Sequence, residues 1–268
     1  MNLARLAFVA ALLACAPWAQ AFVFAVNEGV TYRVSNDEIR ARYGAIATDL
    51  SKLLGQPVRV EPVGDYKELR KGLTAKAYDL ALVHPAHISI TALKAGYKLI
   101  AVTKGFTEYK ASFLVRADAP YKTLVDLRGL KLGVPDEDSI TSWMVRATVR
   151  ETMGDAQAMK YTYTRYQDAV PFMVENTFTQ AGATASGALV KDWLAKGGKV
   201  LGTSKPVPIK HLIGNPSLST EQLTQLRNYF VALDDTEAGR KKLEPVKVQG
   251  YQAYDEAALL KLGVWLGL

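Results

Sequence analysis

Apolar positions along this chain switch repeatedly between two periods. Phe22-Val23-Phe24-Ala25-Val26 is a continuous apolar run of strand length, the pattern of a strand buried on both faces. Ser35 and Glu38 then have capping-box spacing, Ile39, Tyr43, Ile46, Leu50 and Leu53 recur at helical intervals, and Gly55 stops the pattern, which predicts a helix. Val58 to Val60 reads as a second strand, Tyr66 to Ala75 as a helix, and Tyr78 to Val83 as a third strand. Ile88 to Lys94 and Leu99 to Val102 continue the alternation, so a parallel sheet covered by helices is expected.

The alternation restarts at Ser112-Phe113-Leu114-Val115-Arg116. Leu130 to Val134 reads as a strand and Thr141 to Met153 as a helix closed by Gly154, with Val145, Val149 and Met153 on one face. Lys160 to Tyr163, Asp168 to Glu175, Ala188 to Lys196 and Lys199 to Leu201 complete a second α/β set. Lys205-Pro206-Val207-Pro208-Ile209 reads as a connecting segment, because its prolines are unwelcome in a central strand. The tail from Thr220 is helical, with Leu223, Leu226, Tyr229, Phe230 and Leu233 as its core stripe. Two α/β lobes joined by extended segments imply a cleft between them, and such clefts are common ligand sites. The loops Asn27 to Asn36 and His84 to His87 lie at carboxyl ends of strands, where open α/β sheets bind ligands.

Residues 1–21 change the setting: Arg5, the apolar run Leu6 to Ala14 and Ala19-Gln20-Ala21 form an export signal, too short to span a bilayer. Leu12-Leu13-Ala14-Cys15 also resembles a bacterial lipobox, so a lipid-anchored form starting at Cys15 is a second route. The segment before Cys15 is short for a signal, which favours cleavage after Ala21. Cys15 is the only cysteine, so the soluble mature chain would hold none and must rely on an ordinary core. The formal net charge of +7 would steer small anions inward, or is spread over solvated helix faces bearing Lys71, Lys76, Lys241 and Lys242. No Lys/Arg block is interleaved with aromatics, so nucleic acid is a poor partner.

The richest chemistry lies in Gly133-Val134-Pro135-Asp136-Glu137-Asp138-Ser139-Ile140-Thr141-Ser142-Trp143, an apolar strand running through acidic loop residues into hydroxyls that open a helix. Free amides and the positive end of the helix dipole suit an oxyanion there, with Ser139, Thr141 and Ser142 as extra donors; Ser or Thr at that position is also an ordinary N-cap. Tyr32 can donate a phenolic hydrogen bond and Arg33 two, unless Arg33 is a solvated loop charge. His84 and His87 flank Pro85 and could donate to an anion or be satisfied by backbone, the latter especially for His87. His211 reads as structural, and Tyr109 as an aromatic packed at the crossover that could reach the cleft. Ser139 with His84 and an acid could form a nucleophilic set, but no Gly-x-Ser-x-Gly elbow is present. Three histidines with no His-Glu-x-x-His spacing offer no metal set, so no cofactor is expected.

Three segments together carry a family resemblance: Tyr78-Asp79-Leu80-Ala81 leading into a ligand loop, Tyr109-Lys110-Ala111-Ser112-Phe113-Leu114-Val115 as a crossing strand, and Thr123-Leu124-Val125-Asp126-Leu127-Arg128-Gly129-Leu130-Lys131-Leu132-Gly133 just before the Ser139 cluster. In that order they resemble the exported solute-binding proteins of phosphate, phosphonate and phosphite ABC importers. The resemblance implies an α/β, two-lobed type 2 periplasmic-binding-protein fold, each lobe a mostly parallel sheet flanked by helices, with two crossover segments. Residues 22–111 plus 207–268 would form lobe 1 and residues 112–206 lobe 2. It also implies a small anionic ligand, a monomer, and delivery to an ABC permease at the inner membrane; a sensing role for a membrane kinase is the alternative, and an exported hydrolase a weaker one.

The family's helix-start pattern, Asp-Pro-x-Ser-Thr-Ser-Gly and an aromatic, falls on Ser139, Ile140, Thr141, Ser142 and Trp143, so Ile140 removes one hydroxyl. The family's His-Asp-Ala becomes Gln167-Asp168-Ala169, which makes Gln167 an amide ligand in place of a titratable one. Its acid-bearing Val-Asp-Ala strand becomes Gln180-Ala181-Gly182-Ala183. A site without that acid suits a fully ionised or differently shaped anion, because a protonated oxyanion needs an acceptor. The intact mass of the exported product is expected to correspond to a chain starting at Phe22; a lipidated mass starting at Cys15 would show the other processing route.

Overall fold

The computed structural model describes residues 21–29 and 34–268. The leader with Cys15, and the loop residues Tyr32 and Arg33, lie outside them. The first half alternates β1 (Phe22–Asn27), α1 (Asn36–Leu54), β2 (Val58–Pro62), α2 (Tyr66–Thr74), β3 (Leu80–Val83), α3 (Ala86–Lys94) and β4 (Lys98–Thr103). The chain then crosses to β5 (Ser112–Val115), a 3-10 turn at Leu124–Leu127, β6 (Lys131–Val134), α4 (Ile140–Met153), β7 (Lys160–Tyr163), α5 (Ala169–Glu175), β8 (Ala181–Thr184), α6 (Gly187–Ala195) and β9 (Lys199–Thr203). It returns through β10 (His211–Gly214), α7 (Thr220–Val231), α8 (Glu237–Leu243), β11 (Tyr251–Gln252) and α9 (Glu256–Leu266).

Two sheets result, ordered β11-β4-β10-β3-β1-β2 and β7-β6-β8-β5-β9. In the first, β1 to β4 point one way, while β10 enters antiparallel between β3 and β4 and β11 caps the edge. In the second, only β5 runs against the others. The reversed strands β5 and β10 are the first that the chain lays down after each crossing. The crossing segments meet as an antiparallel bridge, where the Val207 amide donates to the Tyr109 carbonyl at 2.9 Å. Pro206 and Pro208 flank this point and keep it from widening into a ladder.

Local chemistry sets the helix ends that matter for the site. Ser35 caps α1 by accepting the Glu38 amide, and Gly55 closes it in the left-handed region at φ 66°. Ile39, Tyr43, Ile46 and Leu50 are buried along the predicted stripe. They pack on the outer face of the first sheet, where the Phe24 ring meets Tyr43 at 5.8 Å and Phe230 at 6.3 Å, both edge-on. The opposite face forms a core that continues from α2, α3 and α9 into α4 and the second sheet, so the two lobes share buried apolar surface. Among the described residues no helix is long and apolar enough to cross a membrane.

Strand β8 has little intrinsic strand preference, as Ala-Gly-Ala-Thr, and is set by packing. A Cβ on Gly182 would stand 2.6 Å from Val170 and 2.8 Å from Val174, so α5 lies directly on the strand. That contact places the start of α5, with Gln167 just before it, beside the carboxyl end of β8.

Candidate functional site

The start of α4 sits at the carboxyl end of β6. Ser139 is its N-cap: the Ser139 hydroxyl accepts the Ser142 amide at 3.1 Å and donates to the Ser142 hydroxyl at 3.2 Å. The Ser142 hydroxyl in turn donates to the Pro135 carbonyl at 3.0 Å. Both serines therefore hold the loop in shape. The first helical amides, of Ile140 and Thr141, have no acceptor among the described residues, although these residues are 3% and 1% exposed. Helix α3 starts in the same way: Pro85 supplies no side-chain cap, and the buried amides of Ala86 and His87 have no acceptor among the described residues. His87 stacks on Trp143 with ring centroids 5.2 Å apart, so two helix N-termini from opposite lobes converge.

A chain of polar side chains runs from α4 to β8. The Thr141 hydroxyl is 3.5 Å from the Tyr109 hydroxyl, and Gln167 Nε2 donates to that phenolic oxygen at 3.0 Å. Gln167 Oε1 accepts from the Ala185 amide at 2.7 Å and from the Thr184 hydroxyl at 2.8 Å. The Ala185 amide can only donate, which fixes the orientation of the Gln167 amide. Because Tyr109 accepts from Gln167, its own proton is directed elsewhere, towards Thr141 or a guest oxygen. An open cavity of about 380 Å³ shares Tyr109 and Ala185 with this chain and is also lined by Phe106, Lys110 and Val190.

The facing wall belongs to the first sheet. Asn27, at the end of β1, anchors the loop by donating to the Val63 carbonyl at 2.7 Å and accepting the Gly29 amide at 3.2 Å. Gly29 has φ 96°, and a Cβ there would come within 2.9 Å of the His84 ring, so only glycine lets the loop pass. Glu28 accepts from the Tyr43 hydroxyl at 2.9 Å and pairs with Arg42 at 3.0 Å. Lys210 extends beneath the Phe106 ring, 4.4 Å from its centroid, from a backbone at φ 63°. Burial lowers the pKa of the Lys210 ammonium, with the Glu28 carboxylate opposing. Burial first, and the charge of Lys210 next, push His84 down to about 3, so its imidazole is neutral at ordinary pH.

A cluster of charged and aromatic groups spans the lobes beside the α3 and α4 starts. Arg70, on α2, grips Asp138 through both carboxylate oxygens at 2.6 and 2.7 Å. His87 Nε2 lies 3.2 Å from Asp138 Oδ1, and the Arg146 guanidinium covers the Trp143 ring at 4.9 Å. Partial burial opposes ionisation of Asp138, but hydrogen bonds from His87 and Arg70 outweigh it and hold the carboxyl well below the usual range. Burial lowers His87, with Asp138 opposing.

Of the residues singled out in the sequence, Thr141 and Gln167 come together, joined by Tyr109. Ser139 and Ser142 sit at the same helix start within the cap. His84 stands on the opposite wall at the end of β3, while Tyr32 and Arg33 fall outside the described residues. His211 is fully buried, its Nδ1 2.5 Å from the Ser89 hydroxyl and its Nε2 3.0 Å from the Pro208 carbonyl. Gln180 opens β8 at the end away from the site, where its Oε1 accepts the Lys131 amide at 3.0 Å. Thr184, Lys210 and the Arg70–Asp138 pair were missed. Residues 84 and 210 are joined by a backbone bond between distant segments, and residues 70 and 138 by lobe contact, so no local pattern could reveal them.

Two α/β lobes linked by two crossing segments, with helix starts facing across the junction, define the type 2 periplasmic binding proteins. The family model described as "ABC transporter, phosphonate, periplasmic substrate-binding protein" matches residues 29–259, and this chain belongs to that family. Its fold is similar to that of XAC2383 from Xanthomonas citri bound to ATP, with TM-score 0.75 and 12% identity, over 92% of this chain and 97% of the other. PhnD1 from Prochlorococcus marinus, in complex with methylphosphonate, matches with TM-score 0.65 and 15% identity over 91% and 96% of the two chains. The periplasmic aliphatic sulphonate binding protein SsuA from Escherichia coli matches with TM-score 0.55 and 14% identity, over 91% and 79%. At these identities the likeness is one of fold.

The buried histidines make the protein acid-sensitive. His84 titrates at about 3 and His211 at about 4 in the folded chain, and His87 is also lowered, against about 6.5 when unfolded. The unfolded chain therefore takes up protons first as pH falls below about 6.5, and folding stability is lost over that window. Denaturant titrations are expected to give a lower unfolding free energy at pH 5 than at pH 7, with a slope approaching two protons from His84 and His211 and His87 adding in the same direction; a flat profile would mean that the imidazoles ionise in place.

Proposed function

We propose that this protein, once exported, captures a small phosphate- or phosphonate-like oxyanion between lobe 1 (22–111 plus 207–268) and lobe 2 (112–206). It then delivers the anion, as a monomer, to an ABC permease at the inner membrane. The observation that carries this reading is the pair of buried amides of Ile140 and Thr141, which have no acceptor among the described residues, beside the Thr141 hydroxyl and the proton of Tyr109. Together they offer neutral donors and the positive end of α4 to one small volume. To these donors the reading adds, from lobe 1, the neutral imidazole of His84, which follows the end of β3, and the sequence candidates Tyr32 and Arg33. Ser139 and Ser142 serve the guest by holding the donating turn in shape.

The anion is taken up fully ionised. Gln167 Oε1 is already occupied by Ala185 and Thr184, so it has little capacity to accept a guest's acidic proton, and the Gln167 amide directs the Tyr109 proton instead. The Ser139 hydroxyl is committed to Ser142, which argues against a nucleophilic role.

A thermal-shift screen against methylphosphonate, phosphate, phosphite, sulfate, arsenate and small carboxylates tests the reading. A specific binder at a hundred times its Kd is expected to add about 2.7 kcal/mol of stability. No shift with any phosphorus oxyanion would sink the assignment. Removing the hydroxyl with Thr141→Val is expected to weaken the best binder about tenfold or more, the scale of a hydrogen bond to a charged group, with folding retained. Ser139→Ala is expected instead to cost about 1 kcal/mol of stability through loss of the cap. Equal affinity of wild type and Thr141→Val, measured by calorimetry, would remove α4 from the site.

A further inference from the structure

The cluster joining α2 and α3 of lobe 1 to the start of α4 does work that the anion site does not need. Neither Arg70 nor Asp138 belongs to the donor set around Thr141, yet they form a two-bond ion pair across the lobe boundary, at 2.6 and 2.7 Å. The pair is half-exposed, with 43% and 38% of the two side chains open to solvent, so salt screens it in part. It is backed by groups that are not exposed. His87 is 2% exposed, shares the Asp138 Oδ1 atom with Arg70, and lies nearly parallel on the Trp143 ring at 19°. Tyr66 meets His87 edge-on at 6.3 Å, and Arg146 covers Trp143 on its own lobe, so the stack is braced on both sides.

We infer that Arg70, His87, Asp138 and Trp143 form an interlobe latch that stabilises the closed conformation directly and thereby sets how long a captured anion stays bound. The latch rests on the proposed capture reading for its role, although its contacts are between protein groups alone. The Arg70–Asp138, His87–Asp138 and His87–Trp143 contacts each pair a lobe 1 group with a lobe 2 group, so a hinge rotation at the Tyr109–Val207 bridge that parts these surfaces breaks the three together, while Arg70 and His87 stay 3.3 Å apart within lobe 1. A guest shifts the open–closed equilibrium only by its differential affinity for the two forms. Latch contacts add to the closed side whatever the guest, and a small anion with few contacts gains most from that.

Asp138 also precedes the Ser139 cap. Closing the latch therefore pulls on the turn that presents the Ile140 and Thr141 amides, which ties the donor geometry to the closed form. Arg70, His87, Asp138 and Trp143 act here as positioning residues, since they hold the walls rather than touch the guest.

Spin labels test this without any choice of guest. In the full chain carrying Cys15→Ser, cysteines at Lys52 on α1 and Lys191 on α6, both exposed, report the distance between lobes by pulsed electron resonance. Arg70→Ala and Asp138→Asn are each expected to move the population towards longer distances, raising the open-to-closed ratio about tenfold, equivalent to ~1.4 kcal/mol. Because the two side chains act on each other, the double variant is expected to be no more open than either single one. The same variants are expected to release methylphosphonate about tenfold faster, with circular dichroism confirming that they fold. Unchanged distances in both single variants, or shifts that simply add in the double variant, overturn the latch. A protein that does not bind methylphosphonate counts against the proposed guest, and the distance measurement still decides the latch.

Discussion

Every α-helix begins with amides that its own backbone cannot accept. In this protein two such sets, at the starts of α3 and α4, are buried where the lobes meet, and the protein supplies neither with an acceptor among the described residues. Buried donors in that position cost free energy until an acceptor arrives. The surrounding structure follows from keeping them there: Ser139 and Ser142 brace the turn, the crossing bridge at Tyr109 and Val207 sets the floor, and the apolar core shared through α3, α4 and α9 keeps the helices in contact.

The walls differ in how they present charge. Lobe 2 offers hydroxyls and amides, arranged by one glutamine whose two ends are both engaged. Lobe 1 buries real charges: the Glu28 carboxylate held by Arg42 and Tyr43, and Lys210 beneath Phe106 with a lowered pKa. Burial keeps His84 neutral against this background, so it can serve as a donor but not as a cation. Much of the field at the site thus comes from dipoles and partly compensated charge.

Much of the architecture was legible because it is written in short-range patterns. The capping pair at Ser35, the apolar stripe from Ile39 to Leu50 and the closing Gly55 each act within one helix, and they placed α1 nearly residue for residue. The same holds for β7 and for α4, whose start differs by one residue. Strands β8 and β10 were not legible in this way. Ala-Gly-Ala-Thr has no strand preference of its own, and its pairing is decided by Val170 and Val174 pressing against Gly182. Asp138 reads in sequence as one of three loop acids, and only the approach of Arg70 and His87 gives it a particular task.

Sequence alone determined that two α/β units alternate along the chain, where most helices begin and end, and that hydroxyls open the helix after β6. Those features depend on periodicity, capping and turn chemistry acting over a few residues. The folded chain decided which hydroxyl remains available, because Ser139 and Ser142 are consumed by their own loop while Thr141 faces Tyr109. It also decided that residues 70 and 138 pair across the lobes. Such partnerships join segments far apart in the chain, and no local preference specifies them until both sheets are formed and packed.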